Sequence, residues 1–462
     1  MLFPMFTALF FNDGDWMDFL GTGGASVFLG VNLVLMNRKK ELILTHRDGF
    51  LLTLLAWLVL SAIGAVPFYL NGVAATWIDA FFETVSGLTT TGATVFVGLD
   101  NMGHGILLWR SMIQWLGGMG IIVLAVAVLP FLGVGGLQLY RSEMPGVVKD
   151  KLQPRLRQTA RSLWGVYFGI TFSCILCYYF GGMTLFDAIC HALTTIATGG
   201  FSTHDASFGY FDSPLLESIC MVFMLIGSIN FNLHFFAVHR GSLKVYKDDE
   251  EFRFYIALLF TISFIVGLTV FFAHDLPFLQ SMRMAFFHTI SIATTTGFAT
   301  TDYSLWHTLA PMLILMIMFV GGMAGSTSGG LKVMRVMMIV RQGAREIYKL
   351  VHPHAVAYVK IGRQRVPEHI VQAVWSFCGV YVIAFNIMAV LLTMYNIDLV
   401  TAFSAVAATI TSAGPGLGEV GPAGNFAGMP DGAKLILCAS MLLGRLELFT
   451  ILVIFTPMFW KK

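Results

Sequence analysis

Residues 285–300 read AFFHTISIATTTGFAT. The stretch is apolar enough for a lipid bilayer, yet it carries hydroxyls on Thr289, Ser291, Thr294, Thr295, Thr296 and Thr300. It is too short to cross a bilayer, and it lies between apolar runs that are long enough. Three other stretches follow its pattern: AFFETVSGLTTTGAT at 80–94, AICHALTTIATGGFS at 188–202 and AFSAVAATITSAGPG at 402–416. Aligned without a gap, each begins with Ala and has glycine at one shared position, namely Gly92, Gly200, Gly297 and Gly414. Two residues earlier stands Thr90, Thr198, Thr295 or Ser412. Internal repetition on this scale defines architecture before any single motif does.

The rest of the chain supplies the setting. Of 462 residues, 56% are hydrophobic and only 12% charged, about half the charge of a soluble domain. Apolar runs long enough to span hydrocarbon recur near 20–37, 50–70, 106–132, 162–180, 215–238, 254–273, 308–340, 369–395 and 433–458. The expected fold is an all-α polytopic membrane protein. Four units of span, half-membrane helix, return strand and span surround one pore, after an extra N-terminal helical segment. The expected boundaries are 1–48 for that segment, then 49–140, 141–243, 244–345 and 346–462 for the four repeats. Lys and Arg cluster at 38–47, 141–161, 240–253 and 332–365, while the alternate loops are acidic. By the positive-inside bias, the hydroxyl-rich hairpins then face away from the cytoplasm and the C-terminus lies inside. A net charge of +2 gives no basic domain to neutralise nucleic-acid phosphates. Cys174 and Cys177 form a C-x-x-C within an apolar helix, without the further ligands that zinc requires. LFPMFTALFF at residues 2–11 lacks the basic flank of a secretion signal and reads as part of a membrane helix.

A short helix reaching mid-membrane must return on non-helical backbone, which is tolerated at that depth only inside protein or along a wet cavity. Glycine opens conformations closed to other residues there, and the freed carbonyls can replace a cation's hydration shell. The bland alternative is that Gly, Ser and Thr merely pack helices closely. Four copies in phase with the span pairs, all on one side, favour the filter reading.

Together with RSMIQWLGGMGIIVL (110–124), ATGGFST, TTTGF and TSAGPGLG, these motifs resemble the Trk/Ktr/HKT superfamily of cation transporters over nearly the whole chain. Within it the chain is most similar to the membrane subunit of the bacterial Trk potassium uptake system. The resemblance implies an ion-binding filter of Thr90, Thr91, Gly92, Thr198, Gly199, Gly200, Thr295, Thr296, Gly297, Ser412, Ala413 and Gly414. In plant relatives a serine at the first filter glycine goes with sodium, so Gly92 implies potassium as the transported ion. The resemblance further implies a homodimer in the bacterial inner membrane and a separate cytoplasmic nucleotide-binding regulatory subunit. No Walker or Rossmann glycine motif stands outside the spans, no cofactor is expected on this chain, and no enzyme activity is expected. Members often begin with a full helix where this chain has LFPMFTALFF, about half a span.

Residues 319–332, FVGGMAGSTSGGLK, make a poor continuous helix, since each glycine costs about 1 kcal/mol relative to alanine. An intramembrane gating loop of Gly321, Gly322, Gly325, Ser326, Thr327, Ser328, Gly329 and Gly330 is expected, as the resemblance also implies. Arg445 sits mid-span, where a charge is functional by default. The resemblance makes it a pore barrier, and an ion pair with another span, for example through Glu83, is the structural alternative. Arg110 and Gln114 read as outer-end residues that snorkel or bind loops. Asp79 and Asp187 read as helix N-caps that also enrich cations at the mouth. His352, His354 and His369 read as solvated. Two other functions remain open: a sodium- or proton-coupled symporter or the ion-binding subunit of a potassium-pumping ATPase, and an intramembrane enzyme using His191 or His288.

Overall fold

The computed structural model describes residues 1–37, 45–123, 152–362 and 364–461. Arg38, Lys39 and Lys40, the basic residues Arg141, Lys149 and Lys151, Arg363, Lys462, and the end of the 106–132 span lie outside the described residues. Among the described residues the chain is helical, apart from a hairpin pairing Lys360–Ile361 with Gln364–Arg365.

Five helices are long and apolar enough to cross a membrane, or up to seven if each bent pair counts as one span. The long helices Trp16–Asn37, His46–Leu70, Leu152–Phe180, Glu250–Ala273 and Glu368–Thr393 carry large apolar side chains outward, among them Phe28, Leu60, Phe172, Phe272 and Ile387. In water such exposure would be costly; against lipid tails it is neutral. This is a polytopic membrane protein.

Four short helices lie inside that ring: Trp77–Leu88, Leu185–Ile196, Phe278–Ala293 and Leu399–Ile410. They are called the first to fourth pore helices below. Buried apolar clusters join the first repeat to the fourth, through Phe82 and Val85 with Ala405 and Leu437. Others join the second to the third, through Ile196 with Phe287 and Phe298, and the third to the fourth, through Ile292 with Ala407 and Ala408.

The runs 215–238 and 433–458 are not continuous helices, contrary to the sequence expectation, while 308–340 is interrupted where its glycines lead one to expect. Pro214–Ser228 turns by 99° into Phe231–Arg240, and Asp431–Arg445 turns by 114° into Leu448–Phe455. Leu309–Val320 stops before an irregular segment that ends at the helix Val333–Val351. Glu447 at the second bend and Lys332 at the end of the segment both have positive φ, 63° and 76°. A side chain there is strained and persists only where its surroundings hold it. The N-terminal helix Leu2–Phe11 does not span. It packs on the outer end of His104–Val123, where Phe11 stacks on His104 at 3.8 Å and Asp13 accepts a bond from the His104 N–H.

Candidate functional site

Three of the four pore helices open on a side-chain cap. Thr76 and Thr184 accept bonds from the N–H groups of Asp79 and Asp187, and Asp398 accepts from Thr401. Asp79 and Asp187 are therefore third-position partners rather than the expected caps. Asp79 completes a capping box and also receives the buried Lys434 ammonium at 2.6 Å.

At the other end all four helices close identically. Thr90, Thr198, Thr295 and Ser412 bond back to the carbonyls of Gly87, Thr195, Ile292 and Thr409. The next residues, Thr91, Gly199, Thr296 and Ala413, reach Ser86, Thr194, Ser291 and Ala408. This is the Schellman pattern, in which the left-handed residue is ordinarily glycine. Here it is a hydroxyl residue, with φ of 53°, 52°, 58° and 59°. A β-branched residue in that conformation is a genuine outlier, so the first three repeats carry the same strain two residues before their glycines, and Ser412 holds the same uncommon conformation in the fourth.

The four strands that follow meet one another. A Cβ on Gly92 would stand 2.2 Å from the Gly199 carbonyl oxygen, and one on Gly200 1.8 Å from that of Thr296. A Cβ on Gly297 would stand 2.4 Å from the Ala413 oxygen, and one on Gly414 2.8 Å from that of Thr91. Each glycine thus abuts the carbonyl preceding the glycine of the next repeat, and the circle closes from the fourth repeat to the first. Eight of the twelve residues singled out from the sequence make these contacts, and the other four, Thr90, Thr198, Thr295 and Ser412, immediately precede them in the chain. Behind it, Thr91 bonds Thr89 at 2.7 Å and Thr296 bonds Thr294 at 2.8 Å. The hydroxyls of Thr90 and Ser412 are buried and have no partner.

Each returning strand is held to its own pore helix by a strut that the sequence did not disclose. Glu83 accepts from Thr94 Oγ1 at 2.9 Å and from the Val95 N–H at 2.9 Å. His191 bonds Ser202 at 3.1 Å, and His288 Nε2 meets the Thr301 backbone. Ser404 exchanges bonds with Leu417 at 2.9 Å. The two histidines are thus structural ties, each with its second nitrogen on a backbone carbonyl, and neither is arranged as a catalytic base. Of the two roles expected for Arg110, burial rules out snorkelling and loop bonding holds: its guanidinium lies 2.7 Å from Glu83, on the Ser202 carbonyl and over the Phe201 ring. Glu83 therefore serves Arg110 and not Arg445. Gln114 donates to the Gly199 carbonyl at 2.7 Å and accepts from the Phe201 N–H, filling the space where Gly199 has no side chain. Hydrophobic spacing shows where along a helix such residues fall, but not which loop folds against them.

Directly below the ring lies the glycine-rich segment 321–332. Ser328 donates to the Thr294 carbonyl, the Gly329 N–H to the Thr295 hydroxyl and the Gly330 N–H to the Thr411 carbonyl. Thr327 reaches the carbonyls of Ile196 and Gly227 and meets the Thr198 hydroxyl. The segment thus covers three of the four pore-helix ends, using carbonyls freed by the break after Ser228. Arg445 donates to the Thr327 carbonyl at 2.8 Å, while its Nε and Nη2 meet no acceptor among the described residues. Beneath is a cavity of about 870 Å³ whose lining includes Asn230, Glu251, Lys332, Arg335 and Arg445. Glu447 pairs with Arg335 at 2.7 Å, leaving Arg445 without a carboxylate. On the opposite side of the ring, His204 lies between Asp100 at 2.5 Å and Asp187 at 3.4 Å. Partial burial works against its charge, but the two carboxylates prevail and raise its pKa.

The basic stretch 332–365 is less free than its composition implies. Arg335, Arg341, Arg345 and Lys349 pair with Glu447, Glu250, Glu368 and Glu346, of which only the last lies in the stretch. His352, His354 and His369 are exposed.

Residues 17–462 match the family described as TrkH, cation transport protein. The chain is 48% identical over 466 residues to the Trk system potassium uptake protein TrkH of Escherichia coli (strain K12), covering 100% of this chain and 96% of the relative. It is 38% identical over 464 residues to the Trk system potassium uptake protein TrkG of the same organism, covering 100% and 95%. The crystal structure of the potassium transporter TrkH from Vibrio parahaemolyticus matches with a TM-score of 0.92 at 44% identity, over 100% of this chain and 96% of that one. The protein belongs to the TrkH family of cation transport proteins.

Proposed function

We propose that this chain is the ion-conducting membrane subunit of a potassium uptake system. The observation that carries the reading is the closed circle in which Gly92, Gly200, Gly297 and Gly414 each abut a carbonyl of the next repeat. Carbonyl dipoles so arranged replace the water around a cation without supplying a full negative charge that would hold it too long. The carbonyls of Thr91, Gly199, Thr296 and Ala413 would supply the potassium ligands. The hydroxyls of Thr90, Thr198, Thr295 and Ser412 line the inner end.

The segment Gly321–Gly330 acts as the gate, and Arg445 adds an electrostatic barrier below it. Its donor-bearing face meets no carboxylate and would repel a cation entering the cavity. The four repeats, bounded at 49–140, 141–243, 244–345 and 346–462, each contribute one quarter of the filter. The chain sits in the bacterial inner membrane with its C-terminus in the cytoplasm. It works as a homodimer with a cytoplasmic nucleotide-binding regulatory subunit, which the relatives' naming as parts of a Trk system supports.

The test is rubidium uptake in a host without its own potassium uptake systems, with Gly92→Ser and Gly297→Ser compared to wild type. Both variants are expected to lose rubidium uptake or its preference over sodium. Unaltered rate and selectivity in both would sink the filter assignment.

A further inference from the structure

Besides its bonds to the pore helices, to the broken span at Ser228 and Phe231 and to Arg445, the gating segment is held, among the described residues, by one carboxylate on the cytoplasmic side. Glu251 stands in the first turn of Glu250–Ala273 and is buried, 4% exposed. Its Oε1 accepts from the Ala324 N–H at 3.0 Å and from the Met334 N–H at 3.1 Å. These two donors lie on opposite flanks of the loop, so one oxygen draws its entrance and its exit together.

The Met334 bond alone would be an ordinary cap. Lys332, at the N-terminus of Val333–Val351, makes no side-chain capping bond, and a carboxylate suits the positive end of a helix. The bond to Ala324 exceeds that role, because it fixes a loop residue that no helix needs. The neighbouring Glu250 holds the first turn in place. It accepts from Arg341 at 2.5 Å and from the Gly362 N–H of the cytoplasmic hairpin. Lys332, at a φ of 76°, bonds back to the Ser328 carbonyl, so the loop is also strained at the flank that Glu251 secures.

We propose that Glu251 is a positioning residue of the gate: it clasps both flanks of the 321–332 loop and so holds the loop under the filter. The inference rests on the reading of that loop as the gate. When the clasp opens, the loop loses its carboxylate anchor and keeps its bonds to the pore helices, to Ser228, Phe231 and Arg445, and from the Val333 N–H to the Gly322 carbonyl. Because Glu250 ties the same helical turn to the hairpin, a shift of the hairpin reaches the clasp directly.

The test is rubidium flux into vesicles holding the purified full chain without any soluble partner. Glu251→Gln, Glu251→Ala and a deletion of residues 325–328 are compared with wild type. Glu251→Gln keeps the accepting Oε1 and is expected to stay within about threefold of wild type. Glu251→Ala removes the acceptor, and basal flux is expected to rise roughly tenfold or more, because two backbone donors lose their partner at once. The deletion is expected to rise as well. A rise in the deletion without one in Glu251→Ala overturns the clasp and leaves the gate reading intact. No rise in either removes both. A merely structural carboxylate would lower flux in Glu251→Ala through loss of folded protein, with no rescue of closure by Gln. Reaction of an Ala324→Cys thiol with a water-soluble reagent separates the cases: it is expected to quicken in folded Glu251→Ala and not in Glu251→Gln, and equal rates in the two would overturn the clasp.

Discussion

At the scale of single residues, the four glycines and the four hydroxyl residues before them repeat most faithfully. Their alignment was legible because a position that admits only glycine constrains sequence more tightly than a packing position does. A Cβ on Gly200 would lie 1.8 Å from the Thr296 oxygen at a φ of 75°. Gly200→Ala should therefore abolish rubidium uptake while full-length protein still reaches the membrane, and wild-type uptake would contradict the crowding. Arg110 and Gln114 were not legible, because their partners Glu83, Ser202 and Gly199 come from other segments. Arg110→Met leaves Glu83 buried without its guanidinium, and breaking such a pair costs about 3–5 kcal/mol. Thermal unfolding in detergent should show that loss, and an unchanged midpoint would contradict the pairing. His204 sets a pH dependence at the end of the ring opposite the 321–332 segment. Its raised pKa means its ion pairs contribute fully below the ordinary value of about 6.5 and are lost as pH rises through its higher folded value. Asp100, whose carboxyl the His204 bond holds below its usual range, stays ionised throughout that window. Amide exchange at 98–101 and 203–206 should accelerate as pH rises through it, beyond the intrinsic base catalysis seen in His204→Gln. Equal profiles in the two proteins would contradict the assignment.

At the scale of elements, the pore helices were legible from their short apolar length and their repeated glycine, whereas the breaks in the second spans were legible only once. The segment 321–332 shows its irregularity through helix-breaking glycines. The bend after Ser228 follows the small pair Gly227 and Ser228, at which a helix kinks readily, and the bend after Arg445 falls at Arg445–Glu447; neither stands out from an apolar run by composition. Their cause is tertiary: the freed Gly227 and Ser228 carbonyls accept bonds from the loop. Single glycines in the second spans have a similar origin. A Cβ on Gly117 would lie 1.9 Å from the Leu88 oxygen, and one on Gly444 2.0 Å from that of Ile410, so these spans rest on the ends of the pore helices. Arg445→Ala removes the bond to Thr327 and the charge beneath the filter, and basal rubidium flux without a partner should rise severalfold. Flux equal to wild type would contradict a barrier at that position.

At the scale of the whole molecule, four dissimilar repeats make one ring because each strand is completed by the next. The membrane class, the repeat phase and the family were readable from apolar run lengths and from the spacing of four glycines. The order of contacts around the ring was not, because nothing within one repeat states which neighbour it meets. The pairing of the basic stretch was hidden for a related reason: four of the bases in 332–365 meet carboxylates, three of them from other segments. The central claim is that a desolvated cation rests inside the circle of carbonyls preceding Gly92, Gly200, Gly297 and Gly414. Anomalous diffraction from crystals grown with rubidium tests it most directly. A peak is expected within the carbonyls of Thr91, Gly199, Thr296 and Ala413, weakened by excess potassium and not by sodium. A ring with no peak, beside well-occupied rubidium elsewhere along the chain, would contradict it.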